Sequence, residues 1–162
     1  MPESVRVALR KSAQIPAPAD EVWELISDWA GMLRWWLTAE EGGLQGPPLT
    51  GCELIGQHGS VPRTRLMTLG NGMTARETIL YQNDKTRRIS YTKSDDRSVT
   101  GYIASTYVDD LGNGACTVSV VSMFDVDDPD DRAAAAARFE AVYTAMFDGY
   151  RRYFTRQQSD QY

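Results

Sequence analysis

A β-strand is the first element that the hydrophobic pattern predicts. Val5, Val7 and Leu9 alternate with polar or small residues, and this period of two is typical of a strand with one face turned to a core. Pro16 and Pro18 follow, and proline is disfavoured in the middle of a sheet because it has no backbone N–H. The strand is therefore expected to end before Pro16.

Two short helical segments are predicted after this strand. Asp20 can cap the first, because its carboxylate can accept hydrogen bonds from the free amides of an opening turn. The apolar positions of that helix are Val22, Trp23, Leu25 and Ile26. A second helical turn near Gly31 would carry Trp29, Leu33, Trp35 and Trp36. Residues 42–51 contain several glycines and two prolines, so we expect an irregular loop there.

The middle of the chain predicts an antiparallel meander. Short stretches rich in β-branched and aromatic residues alternate with turn sequences, which is typical of consecutive hairpins. The turns are Gly70-Asn71-Gly72, Asn83-Asp84-Lys85, Ser94-Asp95-Asp96 and Gly112-Asn113-Gly114. The strands around them are expected at 61–69, 74–82, 87–93, 99–109 and 115–126.

A long C-terminal helix is the clearest prediction. Asp128 can cap it, Pro129 suits its first turn, and the alanines at 133–137 have high helix propensity. Its buried face is marked by apolar residues at steps of three and four, namely Phe139, Val142, Tyr143, Met146, Phe147, Tyr150 and Phe154. Gly149 interrupts this helix at a cost of about 1 kcal/mol relative to alanine. We therefore expect a bulky neighbour there, such as a tryptophan from the N-terminal third.

Composition narrows the class of protein. The chain has 162 residues, 42% of them hydrophobic, and this favours one α+β domain over residues 1–162, with a disordered polar tail at about 157–162. A net charge of -5 with dispersed lysines and arginines offers no basic surface for nucleic acid. No apolar run approaches the roughly 20 residues of a membrane span, and none near Met1 has signal-peptide length. We expect a cytoplasmic monomer or homodimer without membrane insertion.

Neither a metal nor an organic cofactor is expected. Cys52 and Cys116 are far apart, and one histidine, His58, cannot supply a two-histidine metal site. The cysteines are interpreted as buried hydrophobic residues, and His58 as a solvated loop residue. The sequence also contains neither a Gly-rich phosphate loop nor a nucleophile elbow.

Several short motifs accompany this order of elements. They are the proline-bounded segment 15–23, Asp28-Trp29 with Trp35, residues 77–80 before the Asn83-Asp84 turn, and Ile89-Ser90-Tyr91. Together they resemble the START-like or Bet v 1-like superfamily, and within it the bacterial polyketide cyclase/dehydrase subgroup. The resemblance covers the chain from about Val5 to Phe154. It implies a helix-grip fold, in which a curved antiparallel sheet of about six to seven strands wraps around the long helix.

The resemblance also implies an internal cavity for a small, largely apolar molecule. The plant abscisic acid receptors have a similar strand layout, and their pocket pattern assigns an inward direction to a set of positions in this chain. These are Trp36, Arg63, Arg65, Met67, Glu77, Ile79, Tyr81, Tyr91, Lys93, Tyr102, Ala104, Val121, Met123, Val142 and Met146. An inner carboxylate of the receptors falls near Val121, and Gly70-Asn71-Gly72 replaces their proline-containing gate loop. Hormone sensing in the plant manner is therefore not expected.

Glu77, Tyr102 and Arg63 are the candidate catalytic residues on this reasoning. If burial made Glu77 a stronger base, it could take a proton from an acidic C–H or hydroxyl while Tyr102 or Arg63 stabilised the oxyanion. A base and an oxyanion-stabilising group of this kind would be enough for an aldol cyclisation or a dehydration. A plainer alternative puts Glu77 on the solvent face, paired with an arginine across strands. Tyr102 could likewise be only a strand-forming residue.

Three functions remain compatible with the sequence. The working hypothesis is a cofactor-independent cyclase or dehydratase acting on a polyketide-like or aromatic molecule. The second is a non-catalytic carrier or sensor of a hydrophobic small molecule, which the scarcity of catalytic groups favours. The third is an interaction module that uses the surface of the fold against a partner protein.

Overall fold

Seven antiparallel strands and one long helix dominate residues 3–159, the part of the chain that a computed structural model describes. The strands are β1 (Val5–Ile15), β2 (Leu49–Ile55), β3 (Arg63–Leu69), β4 (Thr74–Asn83), β5 (Arg88–Ser94), β6 (Thr100–Gly112) and β7 (Ala115–Val126). The helices are α1 (Ala19–Ser27) and α2 (Arg132–Ser159), with 3₁₀ turns at Met32–Arg34 and Pro129–Asp131. The spatial order β1-β7-β6-β5-β4-β3-β2 contains every predicted hairpin and adds the pairing of β1 with β7. The predicted helix-grip fold is confirmed.

The N-terminal third departs from the predictions in three places. Asp20 does not cap α1: Pro18 is at the N-cap position, and Asp20 lies in the first turn, where it pairs with Arg87 at 2.7 Å. The second short helix is a single 3₁₀ turn, too short for a turn of α-helix. The expected loop at 42–51 is shorter, because Leu49 already pairs with Leu69 and opens β2 at the edge of the sheet.

The C-terminal helical segment opens at the predicted cap, but as a 3₁₀ turn that leads into α2 at Arg132, and it ends later than predicted. The Asp128 side chain accepts a hydrogen bond from the Asp130 amide at 2.9 Å, and Pro129 follows in the first turn. The expected tail boundary at residue 157 is wrong, because Gln158 and Ser159 still belong to α2. Gln158 donates to the carbonyl of Pro16 at 3.3 Å, which ties the last turn to the start of α1. The remainder of the predicted tail, residues 160–162, lies outside the described residues.

The inner face of α2 packs on the concave face of the sheet. Phe139 stacks on Tyr102 with ring centroids 4.9 Å apart and contacts Phe124 at 4.8 Å. Tyr143 and Tyr150 are each 1% exposed, so the aromatic stripe predicted on this helix is buried. Within residues 3–159, no helix is both long and apolar enough to cross a membrane.

Gly149 allows α2 to approach the segment after the 3₁₀ turn. A Cβ built on this glycine would overlap the backbone carbonyl of Trp35 and lie 3.2 Å from its indole ring. The Trp35 ring packs against Tyr150 at 4.6 Å. The tryptophan expected beside Gly149 is therefore Trp35, and the glycine's low helix propensity is offset by this close contact.

Replacing Gly149 with alanine should destabilise the protein although alanine is the better helix former. The new methyl group cannot be accommodated without moving the Trp35 backbone away from α2, and overpacking of this kind costs about 1–3 kcal/mol. Urea unfolding of Gly149→Ala should therefore show a lower midpoint at an unchanged m-value. The control, Ala137→Gly on the exposed side of the same helix, should lose only about 1 kcal/mol. A stabilised Gly149→Ala variant would contradict the packing described.

Candidate functional site

A cavity of about 190 Å³ lies between the concave face of the sheet and α2. Its apolar wall consists of Met32, Trp36, Leu44, Leu49, Met67, Leu69, Ala75, Phe139, Val142 and Met146. Its polar wall consists of Arg65, Glu77, Tyr91, Lys93, Tyr102, Arg138 and Tyr143. Ligand pockets for drug-sized molecules usually measure about 300–1,000 Å³, so this cavity suits a smaller molecule.

An ion pair between Arg65 and Glu77 forms part of the polar wall. The two residues are direct partners on β3 and β4, so both side chains leave the same face of the sheet. Nε and Nη2 of Arg65 donate to Oε1 of Glu77 at 2.9 and 2.7 Å. Burial opposes the charge on Arg65, but the carboxylate of Glu77 together with the hydroxyls of Tyr91 and Tyr150 outweighs this effect, and the pKa of Arg65 is raised. Glu77 therefore faces inward and is also paired with an arginine.

Trp29 holds this ion pair in position. The Arg65 guanidinium lies 3.7 Å from the centroid of the Trp29 ring, a cation–π contact in a buried setting. The indole Nε1 of Trp29 donates to the backbone carbonyl of Glu77 at 3.0 Å. The sequence placed Trp29 only in a second helical turn and in the Asp28-Trp29 motif, and neither indicated its contact with a charged pair.

Three tyrosines complete the polar wall. The Tyr102 hydroxyl donates to that of Tyr143, which donates to Oγ of Ser122, each at 2.7 Å. Burial raises the pKa of Tyr102 and of Tyr143, so both remain protonated at neutral pH. The Tyr91 hydroxyl makes no hydrogen bond with any residue between 3 and 159. Burial, and next the charge of Glu77, raise its pKa well above the usual value, so Tyr91 is a hydrogen-bond donor without an acceptor among the described residues.

Two further cations line the cavity. Lys93 is half-buried and directly opposite Glu77 in the register of β4 and β5. Arg138 on α2 donates to Asp96 and Ser98 in the β5–β6 hairpin, each at 2.8 Å. These contacts place positive charge on two sides of the cavity.

Most of the inward positions expected from the sequence are brought together here. Nine line the cavity: Trp36, Arg65, Met67, Glu77, Tyr91, Lys93, Tyr102, Val142 and Met146. Ile79 and Ala104 point inward but are buried in the core and do not line the cavity.

Arg63 is the one candidate catalytic residue that does not line the cavity. It is buried, but its guanidinium donates to the backbone carbonyls of Ser27 and Ser60 at 2.8 and 3.0 Å. Burial lowers its pKa, and it lines a separate surface recess that also contains His58 and Asp84. The arginine beside Glu77 is Arg65, so the assignment of Arg63 to this site is wrong. His58 itself is exposed in a turn, as predicted.

Three other expected positions face outward. A bulge at Leu80 sets Ile79 opposite Tyr91 and Tyr81 opposite Ser90, so the alternation shifts by one residue and Tyr81 is 46% exposed. On β7 the buried residues at alternate positions are Cys116, Val118, Val120, Ser122, Phe124 and Val126, and Ser119 between them is also buried. Val121 and Met123 lie between them on the convex face of the sheet, so their expected inward direction is wrong.

Sequence reasoning missed several residues that line the cavity. Phe139 and Tyr143 were on the predicted apolar face of α2, so a signal for their burial was present. Leu44 and Leu49 follow no periodic pattern because they lie in or next to the irregular loop. Arg138 gave no signal, because a charged residue on a helix is usually solvated.

Comparison with known proteins gives one family and many structural relatives. The family model described as "Polyketide cyclase / dehydrase and lipid transport" matches residues 6–155. A comparison with curated proteins finds no match.

Three solved structures illustrate the structural similarity. The Bacillus cereus protein XoxI is 18% identical, with a TM-score of 0.74, and the match covers 94% of this chain and 98% of that one. Norcoclaurine synthase from Thalictrum flavum, in complex with dopamine and hydroxybenzaldehyde, is 20% identical with a TM-score of 0.63, covering 89% and 86%. The di-domain ARO/CYC BexL of the BE-7585A biosynthetic pathway is 15% identical with a TM-score of 0.73, covering 92% of this chain and 46% of that one. Identities this low establish a shared fold and nothing more.

Proposed function

The chain belongs to the polyketide cyclase / dehydrase and lipid transport family, and on that premise we propose that its cavity binds a small, largely apolar molecule and catalyses proton transfer on it. The product of the reaction that this proton transfer starts would be a cyclised or dehydrated ring compound. The reaction needs only an ionised carboxylate, a hydrogen-bond donor for an oxyanion and a cavity that limits access of water.

The observation that carries this proposal is the free oxygen of Glu77. Both hydrogen bonds from Arg65 go to Oε1, and Oε2 makes no hydrogen bond with any residue in the described range. The Glu77 side chain retains 12% exposure and lines the cavity, so Oε2 is accessible to a bound molecule. The two hydrogen bonds from Arg65 fix the direction of the carboxylate and leave Oε2 for a bound molecule.

Glu77 and Tyr91 have complementary roles in the proposed reaction. Glu77 takes a proton from the carbon next to a ligand carbonyl, and the electron pair of that C–H bond moves onto the carbonyl oxygen as an enolate. The Tyr91 hydroxyl donates a hydrogen bond to this oxygen. For dehydration, the enolate then expels a hydroxyl from the β-carbon, and the proton held by Glu77 leaves with it as water. For aldol cyclisation, the enolate carbon attacks a second carbonyl, and Glu77 returns its proton to the new alkoxide.

The size of the cavity favours a ligand of one or two rings. About 190 Å³ is small for an acyl lipid but adequate for an aromatic or reduced bicyclic molecule. Two structural relatives agree with this choice, since norcoclaurine synthase was crystallised with two single-ring compounds and BexL is named as an ARO/CYC protein. These relatives support chemistry on small ring compounds, and their own substrates are not proposed for this chain.

A non-catalytic carrier is the second candidate, and the Arg65 contact is the observation in its favour. Both hydrogen bonds from Arg65 occupy Oε1 of Glu77, and a carboxylate held in this way can serve the cavity wall as half of an ion pair without any proton transfer. A carrier would use the same cavity and the same Tyr91 donor without any reaction. The interaction-module hypothesis stays an untested prediction.

Native mass spectrometry with 2-naphthol as the probe tests the proposal. The protein should retain one molecule per chain, and denaturing extraction of the purified protein should release any cellular ligand for identification. A released compound that the protein does not alter on re-addition would favour the carrier. Failure to bind 2-naphthol or any co-purified molecule would count against a ligand-binding cavity.

A further inference from the structure

We propose that the molecule bound in this cavity carries a carboxylate, and that Lys93 binds it. The inference rests on the proposed function, because it specifies a feature of the ligand for the same cavity. It concerns a part of the cavity wall that the proton-transfer step does not use.

The charges on the cavity wall do not balance. Three cations line it, Arg65, Lys93 and Arg138, against one anion, Glu77. Arg65 is bonded to Glu77, and Arg138 is paired with Asp96 at 2.8 Å. Lys93 makes neither an ion pair nor a side-chain hydrogen bond with any residue from 3 to 159. One positive charge on the wall is therefore left without a partner in the described part of the chain.

Glu77 does not pair with Lys93, although the register of the sheet places the two residues directly opposite each other. Arg65, Glu77 and Lys93 are successive partners across β3, β4 and β5, so they form a row on the concave face with the carboxylate in the centre. Glu77 is engaged by Arg65, with two hydrogen bonds to Oε1 and a cation–π contact that holds the guanidinium in position. Lys93, on the other side of the row, is half-buried and lines the cavity. A ligand that covered Lys93 would remove the remaining water from its charge, and an anion of the ligand would offset that cost.

The position of Lys93 also indicates where the carboxylate would be on the ligand. Lys93 and Tyr91 are two residues apart on β5, so both face the cavity, with Cα atoms about 7 Å apart. If Tyr91 binds the reacting carbonyl oxygen, Lys93 offers a neighbouring inward position on the same strand for an acid group of the same ligand. This points to a cyclic or aromatic keto acid as the substrate class.

A carboxylate fits better than a phosphate. A phosphate monoester carries a charge of roughly -1.5 to -2 at pH 7 and is usually bound by more than one cation or by several amides. The cavity offers one unpaired ammonium group, which matches a single negative charge. Arg138 would become available to a dianion only by leaving Asp96.

Matched acid and amide probes test the inference. Calorimetric titration of the wild-type protein should show that 2-naphthoic acid binds about tenfold or more tightly than 2-naphthamide, because the two differ by little except the charge that Lys93 would pair with. Lys93→Met should reduce the affinity for the acid to that for the amide and leave amide binding unchanged. Lys85→Met, in the β4–β5 turn away from the cavity, should alter neither.

The possible outcomes separate this inference from the proposed function. Equal binding of the acid and the amide to the wild type would overturn the carboxylate assignment and leave the cavity intact. An acid preference that survives in Lys93→Met would also overturn it, and would transfer the role to Arg138. Binding of neither probe would overturn both proposals. Thermal unfolding of each variant checks that the comparison is made on folded protein.

Discussion

Replacement of Glu77 by glutamine will slow deuterium exchange at C1 of 2-tetralone by about 10²–10⁴-fold, the usual contribution of a general base. This ketone has acidic C–H bonds next to its carbonyl and two fused rings, which suits the size of the cavity. The amide of glutamine can still accept hydrogen bonds from Arg65, so the shape of the site is kept while the basic oxygen is lost. The measurement is kcat/KM for exchange in D₂O by NMR, with the uncatalysed rate subtracted.

Binding must be measured with the same variant. The affinity of Glu77→Gln for 2-tetralone should stay within a few-fold of the wild type, so that the loss is in turnover. Glu53→Gln, on the exposed side of β2, is the matched control and should exchange at the wild-type rate. Exchange that is measurable in the wild type and unchanged in Glu77→Gln would remove Glu77 from the mechanism. Wild-type protein that binds the ketone without accelerating exchange would favour the carrier.

Replacement of Arg65 by methionine is expected to lower the free energy of unfolding by about 3–5 kcal/mol. The Arg65 side chain is 4% exposed and that of Glu77 12%, so removal of Arg65 leaves a largely buried carboxylate without its hydrogen-bonded cation. Trp29 loses its cation–π partner in the same variant. Urea unfolding followed by tryptophan fluorescence gives the free energy directly.

A double variant distinguishes the buried charge from lost packing. In Arg65→Met/Glu77→Leu both charges are replaced by apolar groups of similar size, and such replacements are often neutral or stabilising. Most of the stability lost in Arg65→Met should therefore return, which would appear as a large coupling free energy in the double-mutant cycle. Additive losses in the two single variants and the double variant would show that the pair is not coupled as described.

The sequence predicts the fold well because each element carries its own local signal. The alanine run, the Asp128 cap and the three-four spacing from Phe139 to Phe154 define α2 without reference to the rest of the chain. The hairpin turns define the order of β3 to β7 in the same way. β2 was only partly recognised, because an edge strand that starts beside Pro48 has little periodic pattern.

The site is predicted less well, because it depends on which face each strand residue occupies. On β7, Val120, Val121 and Met123 are all apolar, so hydrophobicity alone does not identify the inner face. Ser122 is polar but buried, which is the opposite of the usual relation between polarity and burial. On β4, the bulge at Leu80 leaves no trace in the sequence and turns Tyr81 outward. The position of a residue along its strand also decides whether its side chain reaches the cavity.

Arg63 and Arg65 illustrate this last point. Both leave the same face of β3, and alternation treats them alike. Arg63 lies at the end of the strand near α1, where carbonyls of Ser27 and Ser60 capture its guanidinium. Arg65 is one inward position further on and reaches Glu77. The two arginines differ in their distance from α1, and the position of α1 in the fold cannot be derived from a single sequence.

Filling the cavity is the most direct test that it is the binding site. Val142 lines the cavity on α2, whereas Val121 lies on the opposite, convex face of the sheet. Native mass spectrometry with 2-naphthol should show one bound molecule in the wild type and in Val121→Phe, and at least a tenfold loss of affinity in Val142→Phe, with both variants folded by circular dichroism. Undiminished binding by folded Val142→Phe would contradict the account, because the ligand would then occupy another part of the molecule.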